Sequence, residues 1–220
     1  MKGERISELT TLRLSVYLRC LNELSANGIR TISSYGLAER FHLNAAQIRK
    51  DLAYFGEFGV RGVGYYVATL AEHLMSILGL DKEHRVCIVG AGRLGTALAD
   101  YYAFQGTNFT VFALFDSDPE KVGKKIGKIK VNDIKCFDSV VKRDKIEVAI
   151  IAVPANAAEE VLEAIVASGI KAVLNFAPVR LKVSADVKLK TVDLTTALES
   201  LSSFLVRPPD SNGQRSTPAK

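Results

Sequence analysis

The chain has no tryptophan, two methionines, three histidines and three cysteines among its 220 residues. The last two scarcities exclude the most. Cys20, Cys87 and Cys136 lie far apart, without the paired spacing of a zinc site or a disulfide framework. Cys87 falls inside an apolar, strand-like run and reads as core filler. His42, His73 and His84 all precede Val86, so none stands where the end of a later strand would offer a proton shuttle to a bound cofactor. There is no Tyr-x-x-x-Lys pair and no cluster of metal-ligating residues, which leaves no candidate catalytic residue and no metal site. Long apolar runs are missing too. None approaches the ~20 residues of a membrane span, and the opening MKGERISELT is too polar for a secretory signal. A cytoplasmic location with no membrane partner is the expectation. Charge of one sign is only mildly favoured: the net charge is +5, but the first eighty residues hold nine Lys/Arg against seven Asp/Glu, too even for a basic domain.

What is present begins as short helices. Leu14, Tyr17, Leu18, Leu21 and Leu24 recur at helical spacing, and Gly28 follows at a C′ position. Ser33-Ser34 offers an N-cap to a second helix carrying Leu37, Ala38 and Phe41. After the break HLN, Asn44 and Gln47 have capping-box spacing and open a third helix, AAQIRKDLAYF. Ile48, Leu52 and Phe55 form its inward face, with Gln47, Arg49, Lys50 and Tyr54 outside. Two short helices around a brief break, the second presenting Gln, Arg and Lys, are laid out as a helix-turn-helix. GEFGVRGVGYYV sets four glycines around Arg61, which predicts a β-hairpin with an arginine near its tip, the wing of a winged helix. A helix with Leu70, Leu74, Ile77 and Leu78 ends at Gly79, and DKEHR reads as a polar linker.

From Arg85 the pattern becomes strand-helix alternation: VCIV, a helix from Leu94, TVFALF ending at Asp116, VAIIAV, a helix over Ala155 to Ser168, KAVLNF, a strand near Lys190 to Val192, and a final helix with Leu198, Leu201 and Leu205. Unbroken apolar strands imply a sheet covered on both faces. The expected fold class is α/β with an α+β N-terminal domain. A winged helix-turn-helix spans 1–80, a Rossmann-like doubly wound parallel sheet with its C-terminal helix spans 81–206, and a Pro-, Ser- and polar-rich tail over 207–220 is disordered.

The stretch VCIVGAGRLG carries the second motif. Gly90, Ala91, Gly92, Arg93, Leu94 and Gly95 form G-x-G-x-x-G after a strand and before a helix, and Asp116 ends the next strand about twenty residues on. Gly90 makes the tight turn, Gly92 lets backbone N–H groups approach a pyrophosphate, and Gly95 lets the helix pack on the sheet. Asp116 accepts hydrogen bonds from the adenosine ribose. A 2′-phosphate would meet Asp116 and Asp118 with no arginine immediately after, so NAD(H) is preferred over NADP(H). About 110 residues after the linker leave little room for a substrate half; the cofactor is held and not used.

The run SSYGLAERFHLNAAQIRKDLAYFGEFGVRGVGY, then VGAGRLGTALADYYAF, LFDSDPEKVG, AVPANAAEEVLEAIVASGIKAVLNFAPV and VDLTTALESLSSFL together resemble the Rex family of redox-sensing transcriptional repressors. The likeness covers Leu12 to Leu205; Ser184, where the family often has proline, the first few residues and the tail depart from it. It implies a homodimer whose C-terminal helices, about Thr195 to Leu205, are swapped between protomers. It also implies a palindromic double-stranded operator bound in the NAD⁺ or free form and released by NADH. By position, Arg49 and Lys50 belong to the recognition helix and Arg61 to the wing. Tyr101 and Asp193 match a pair that meets with reduced cofactor, and Arg19 matches the alternative partner of that carboxylate. Asn175, Phe176, Ala177 and Pro178 match the loop beside the nicotinamide, and Val153 and Pro154 join the cofactor site.

Specific readout needs side chains at base edges and phosphate contacts for register. Arg49 or Lys50 reads a guanine, Gln47 lies near an adenine or phosphate, and Arg61 enters a narrow minor groove. Two rivals differ in class. A compact NAD-dependent dehydrogenase would show hydride turnover. A coenzyme A-binding module would leave the winged helix unexplained, and fluorescence titration of this tryptophan-free chain with NADH and with coenzyme A separates the two.

Overall fold

Leu14, Tyr17, Leu18, Leu21 and Leu24 lie on one side of α1 (Glu8–Ala26), and all five are buried. The structure, a computed structural model, describes residues 7–100 and 107–206; the predicted disordered tail and Tyr101 lie outside them. The chain divides into two compact units, Met1–Glu83 and His84–Lys220. Among the described residues no helix is long and apolar enough to cross a membrane.

In the first unit Ser7 caps α1, its hydroxyl accepting from Thr10 N at 3.1 Å. Gly28, at φ +73°, ends the helix: its N–H donates to Ser25 O at 2.9 Å and Ile29 N–H to Leu24 O at 3.0 Å, the paired bonds of a Schellman stop. Ser33 caps α2 (Ser34–Phe41) and Asn44 caps α3 (Ala45–Ala53), with the left-handed His42 turning the chain between them. Asn44 Oδ1 accepts from Gln47 N at 3.0 Å, but the reciprocal half of the predicted capping box is not made, because the Gln47 amide turns to Asp51 instead. Strand β1 (Thr31–Ile32) pairs antiparallel with β2 (Tyr65–Tyr66), and α4 (Val67–Ile77) follows and ends before Gly79. The wing departs from the predicted hairpin. Val60 and Gly64 form a single antiparallel bridge around Arg61, Gly62 and Val63, and the strand after it finds its partner in the residues before α2. Gly64, at φ +93°, packs so close to β1 that a Cβ would lie 2.5 Å from Ile32 O.

Asp51, on α3, is only 5% exposed and holds three partners. Arg13 donates to it from Nε at 2.5 Å and Nη2 at 2.8 Å, Tyr17 Oη at 2.9 Å and Gln47 Nε2 at 2.8 Å. Burial pushes this carboxyl up, but the hydrogen bonds from Arg13, Gln47 and Tyr17 together hold it below the usual carboxylate value. Asp51→Ala is expected to lower unfolding free energy by about 2–3 kcal/mol, less than for a fully buried pair because Arg13 keeps access to water. Since the folded value is depressed, the contribution is complete above the unfolded carboxylate pKa and disappears as pH falls through the folded one. Urea titrations at neutral and acid pH check this: the gap between the two proteins closes in acid.

In the second unit, strand β3 (His84–Val89) begins inside the stretch predicted as linker, so His84 and Arg85 are sheet residues. They earn that place by side-chain packing: His84 stacks on Phe109 and Arg85 lies 4.6 Å above the Phe112 ring. Then come α5 (Arg93–Ala99), β4 (Phe109–Asp116), β5 (Lys125–Ile126), β6 (Ile129–Asp133), α6 (Phe137–Asp144), β7 (Val148–Ile151), α7 (Ala158–Ala167), β8 (Ala172–Asn175), β9 (Lys188–Thr191) and α8 (Leu194–Val206). Among the described residues seven strands form one sheet in the order β5-β6-β4-β3-β7-β8-β9, parallel except for the β5–β6 hairpin. Alternation sorts the core. Cys87, Val89, Phe115 and Ile151 face α6 and α7, while Val86, Ile88, Leu114 and Ile150 face the opposite layer. Burial pushes the Cys87 thiol up to about 12, so it stays protonated and inert. The β5–β6 hairpin, for which periodicity predicts no element, exposes Lys124, Lys125, Lys128 and Lys130. Charge on an edge strand discourages pairing with another sheet.

Candidate functional site

The order of the sheet reverses around β3, with β4 on one side and β7 on the other; ligands of open α/β sheets bind at the carboxyl ends of strands at such a point. There lies a cleft of about 530 Å³ lined by Gly90, Gly92, Asp116, Lys121, Val153 and Pro154, with Glu160 and Val161 of α7 among its further walls.

Each glycine of the turn has its own requirement. Gly90 sits at φ +108°, and a Cβ there would lie 2.4 Å from Ala152 O. A Cβ at Gly95 would lie 1.7 Å from Gly90 O, so the helix packs directly on the turn. At Gly92 a Cβ would meet nothing within 4 Å. Nothing among the described residues fills that space, which is the opening a pyrophosphate needs. Gly92 is the N-cap of α5. Ala91 is buried, and Arg93 and Leu94 are exposed on the first turn. These residues fit a dinucleotide.

Asp116 closes the site from β4. Its Oδ2 accepts from Ala91 N at 2.7 Å and Lys121 Nζ at 3.2 Å, and its Oδ1 from Asp118 N at 2.9 Å. Burial raises this carboxyl, but the N–H groups of Asp118 and Ala91 and the Lys121 ammonium outweigh burial and lower it. A carboxylate has about four acceptor positions, so three donors leave room for one more, on Oδ1. Lys121 was not foreseen; it also stands 3.5 Å from Asp118. The end of β4 therefore carries two carboxylates and one ammonium, still net negative.

Residues 175–178, in the loop after β8, are not among those lining this cleft. Asn175 is fully buried and builds its own loop. Its Nδ2 donates to Ala177 O at 3.1 Å and Val179 O at 3.2 Å, and its Oδ1 accepts from Ala177 N at 2.9 Å. Phe176 packs against the core layer that holds Val86, Ile88 and Leu114, Ala177 is buried, and Pro178 is exposed.

The other predicted residues fall in separate places. Arg49 and Lys50 are exposed on α3, Arg61 is exposed at the tip of the wing, and Arg19 is exposed on α1. Gln47 is half-buried with one amide hydrogen given to Asp51, which departs from the free outward side chain predicted. Asp193, exposed, is the cap of α8: its Oδ1 accepts from Thr195 N at 2.9 Å and Thr196 N at 3.1 Å, its Oδ2 from Thr196 Oγ1 at 3.0 Å. The Thr196 N–H and hydroxyl, with the Thr195 N–H, hold this carboxyl below the usual range. Along α8, Leu194, Leu198, Leu201 and Leu205 are each more than 60% exposed. Their spacing makes one bare apolar stripe.

Two family models match the chain: one described as CoA binding domain over residues 81–179, and one described as "Putative DNA-binding protein N-terminus" over residues 5–53. The redox-sensing transcriptional repressor Rex of Desulfitobacterium hafniense is 45% identical over 201 residues, spanning 91% of this chain and 96% of that protein. A crystal structure of RSP in complex with β-NAD⁺ and operator DNA superposes with a TM-score of 0.89 at 39% identity, covering 92% of this chain and 94% of that one. RSP in complex with β-NADH superposes at 0.82 and 38% identity, covering 92% and 95%. At this identity, over nearly the whole length of both proteins, the chain belongs to the Rex family of redox-sensing transcriptional repressors.

Proposed function

We propose that the chain acts as a homodimeric redox sensor that represses transcription, holding a palindromic operator through its winged helix-turn-helix and leaving it when NADH enters the cleft. It is a regulator and not an enzyme. One observation carries the reading: a single chain of this family joins a helix-turn-helix exposing Arg49 and Lys50 to an α/β unit whose turn leaves the space beside Gly92 open. The related RSP has been crystallised with operator DNA and β-NAD⁺, and with β-NADH. The cytoplasm, where operator and pyridine nucleotides meet, is its place of action.

In the cleft, backbone N–H groups around Gly92 hold the pyrophosphate, and Asp116 takes a ribose hydroxyl on the free position of Oδ1. Val153 and Pro154 wall the cofactor on the β7 side, and the loop over residues 175–178, which Asn175 braces, lies beside the nicotinamide. The bound cofactor supplies a ring that is cationic when oxidised and neutral when reduced. Asp193 is the group of this chain that answers the difference, engaging Arg19 in one state and Tyr101 in the other. Such an exchange shifts the DNA-binding equilibrium only if the two states bind the cofactor unequally. The stripe on α8 favours a dimer, because four leucines bare on one helix are covered by a partner in a stable protein, and that partner is a second copy into which α8 is swapped. Two copies then set two recognition helices on half-sites separated by whole helical turns.

On DNA, Arg49 or Lys50 reads a guanine and Arg61 reaches the minor groove. Gln47, tied to Asp51, has its carbonyl oxygen and one amide hydrogen left for an adenine or a phosphate.

The test is titration of NADH into a complex of the protein with the palindromic duplex it selects from a randomised pool, in excess NAD⁺, with mass measured by ultracentrifugation. Release at NADH far below the NAD⁺ present, from a protein of dimer mass, is expected. A complex indifferent to NADH, or a monomer, overturns the reading.

A further inference from the structure

Ser33 and Ser34 are adjacent at the start of α2, yet their hydroxyls do different things. Ser33 is the cap, its Oγ accepting from Gly36 N at 2.9 Å. Ser34, the first helical residue, is not needed for that bond. Its Oγ instead accepts from Nη1 of Arg49 at 2.9 Å, fifteen residues away on α3. Arg49 is exposed, and a long exposed side chain samples many rotamers whose ordering on binding costs affinity. The helix beneath it cannot roll freely, because Asp51 ties α3 to Arg13 and Tyr17 of α1. The guanidinium is thus held from a neighbouring helix, on a helix whose rotation is already set.

We propose that Ser34 is a positioning residue for operator reading: its hydroxyl holds the Arg49 guanidinium in the orientation used at a base edge before DNA arrives. The inference rests on the role proposed for Arg49. The geometry suits it, because Ser34 engages Nη1 and leaves the Nε–Nη2 edge of the fork for a two-point contact with guanine O6 and N7. One helix of the motif thereby sets the selectivity of the other.

The experiment compares the wild-type chain with S34A, S34T, R49A and the S34A/R49A double variant. Equilibrium binding is measured on the duplex that the wild-type chain selects from a randomised pool, and on single base-pair variants of it. Circular dichroism melts check folding; Ser34 is not the cap, so S34A melts as wild type does. S34A weakens binding about tenfold over the two half-sites and flattens preference at the same base pair that R49A flattens. S34T restores both, and in the R49A background removing the hydroxyl changes nothing. An S34A loss of the same size in the R49A background means the hydroxyl contacts a phosphate by itself and overturns the proposal, as does an S34A protein that binds and discriminates like wild type. If R49A itself binds normally, the reading role of Arg49 fails, and that result is distinct from a silent S34A beside a damaging R49A.

Discussion

Arg49→Ala is expected to weaken operator binding by about 30-fold to 10⁴-fold while leaving NADH binding unchanged. A two-point arginine–guanine contact discriminates by about 1–3 kcal/mol. A dimer makes that contact twice, so the loss is about 2–6 kcal/mol, on the order of 30-fold to 10⁴-fold. The fold has little stake in the side chain: Arg49 is exposed, and its bond to Ser34 lies at the surface. The cofactor cleft belongs to the other compact unit. Gel shift and fluorescence titration on one preparation check both halves. Discrimination among base-pair variants separates a base reader from a phosphate anchor, because losing a phosphate contact lowers affinity evenly across sequences and reduces the salt dependence. Full operator retention by the variant removes Arg49 from the interface.

Asp193 calls for a pair of substitutions, because it has two duties in the proposed switch. It caps α8 through Thr195 and Thr196, and its carboxylate is the proposed sensor of the nicotinamide charge. Asparagine is as good a cap as aspartate but carries no charge. Asp193→Asn is therefore expected to keep α8 and the dimer while raising the NADH concentration needed for DNA release by about 5- to 150-fold, the usual span of coupling between two sites. Asp193→Ala loses cap and charge together and so adds loss of helicity in the far-ultraviolet spectrum. Paired NADH titrations of the DNA complex make the comparison. A normal dose response from the asparagine variant with a defect in the alanine variant assigns Asp193 to the cap alone.

Legibility in the sequence followed the range of the interaction. Leu14 to Leu24, the caps Ser33 and Asn44, and the glycines of VGAGRLG were readable because their determinants lie within a few residues. Asp51 was not. Nothing local in AAQIRKDLA marks its aspartate for burial, which depends on Arg13, thirty-eight positions earlier. Once Asp51 is inside, Gln47 follows it, which is why the capping box is half made. Likewise the wing looked like a self-paired hairpin until Tyr65 and Tyr66 found Thr31 and Ile32 across two helices. Lys121 escaped notice because only the fold of the DSDPEK turn brings its ammonium back to Asp116. Asn175 carried a residue-level resemblance to a cofactor loop, but its amide is consumed in holding that loop together.

The lysines of the β5–β6 hairpin show that the chain's positive charge is gathered away from its N-terminal unit. Residues 121–135 hold six lysines against one aspartate, while residues 1–83 hold ten Lys/Arg against nine Asp/Glu. The groove-reading half is thus almost electroneutral, and sequence-blind adhesion to duplex DNA grows with the cations set against phosphate. A reader of that kind is expected to hold random duplex weakly and with a shallow salt dependence, which a salt titration of its binding to non-operator DNA checks.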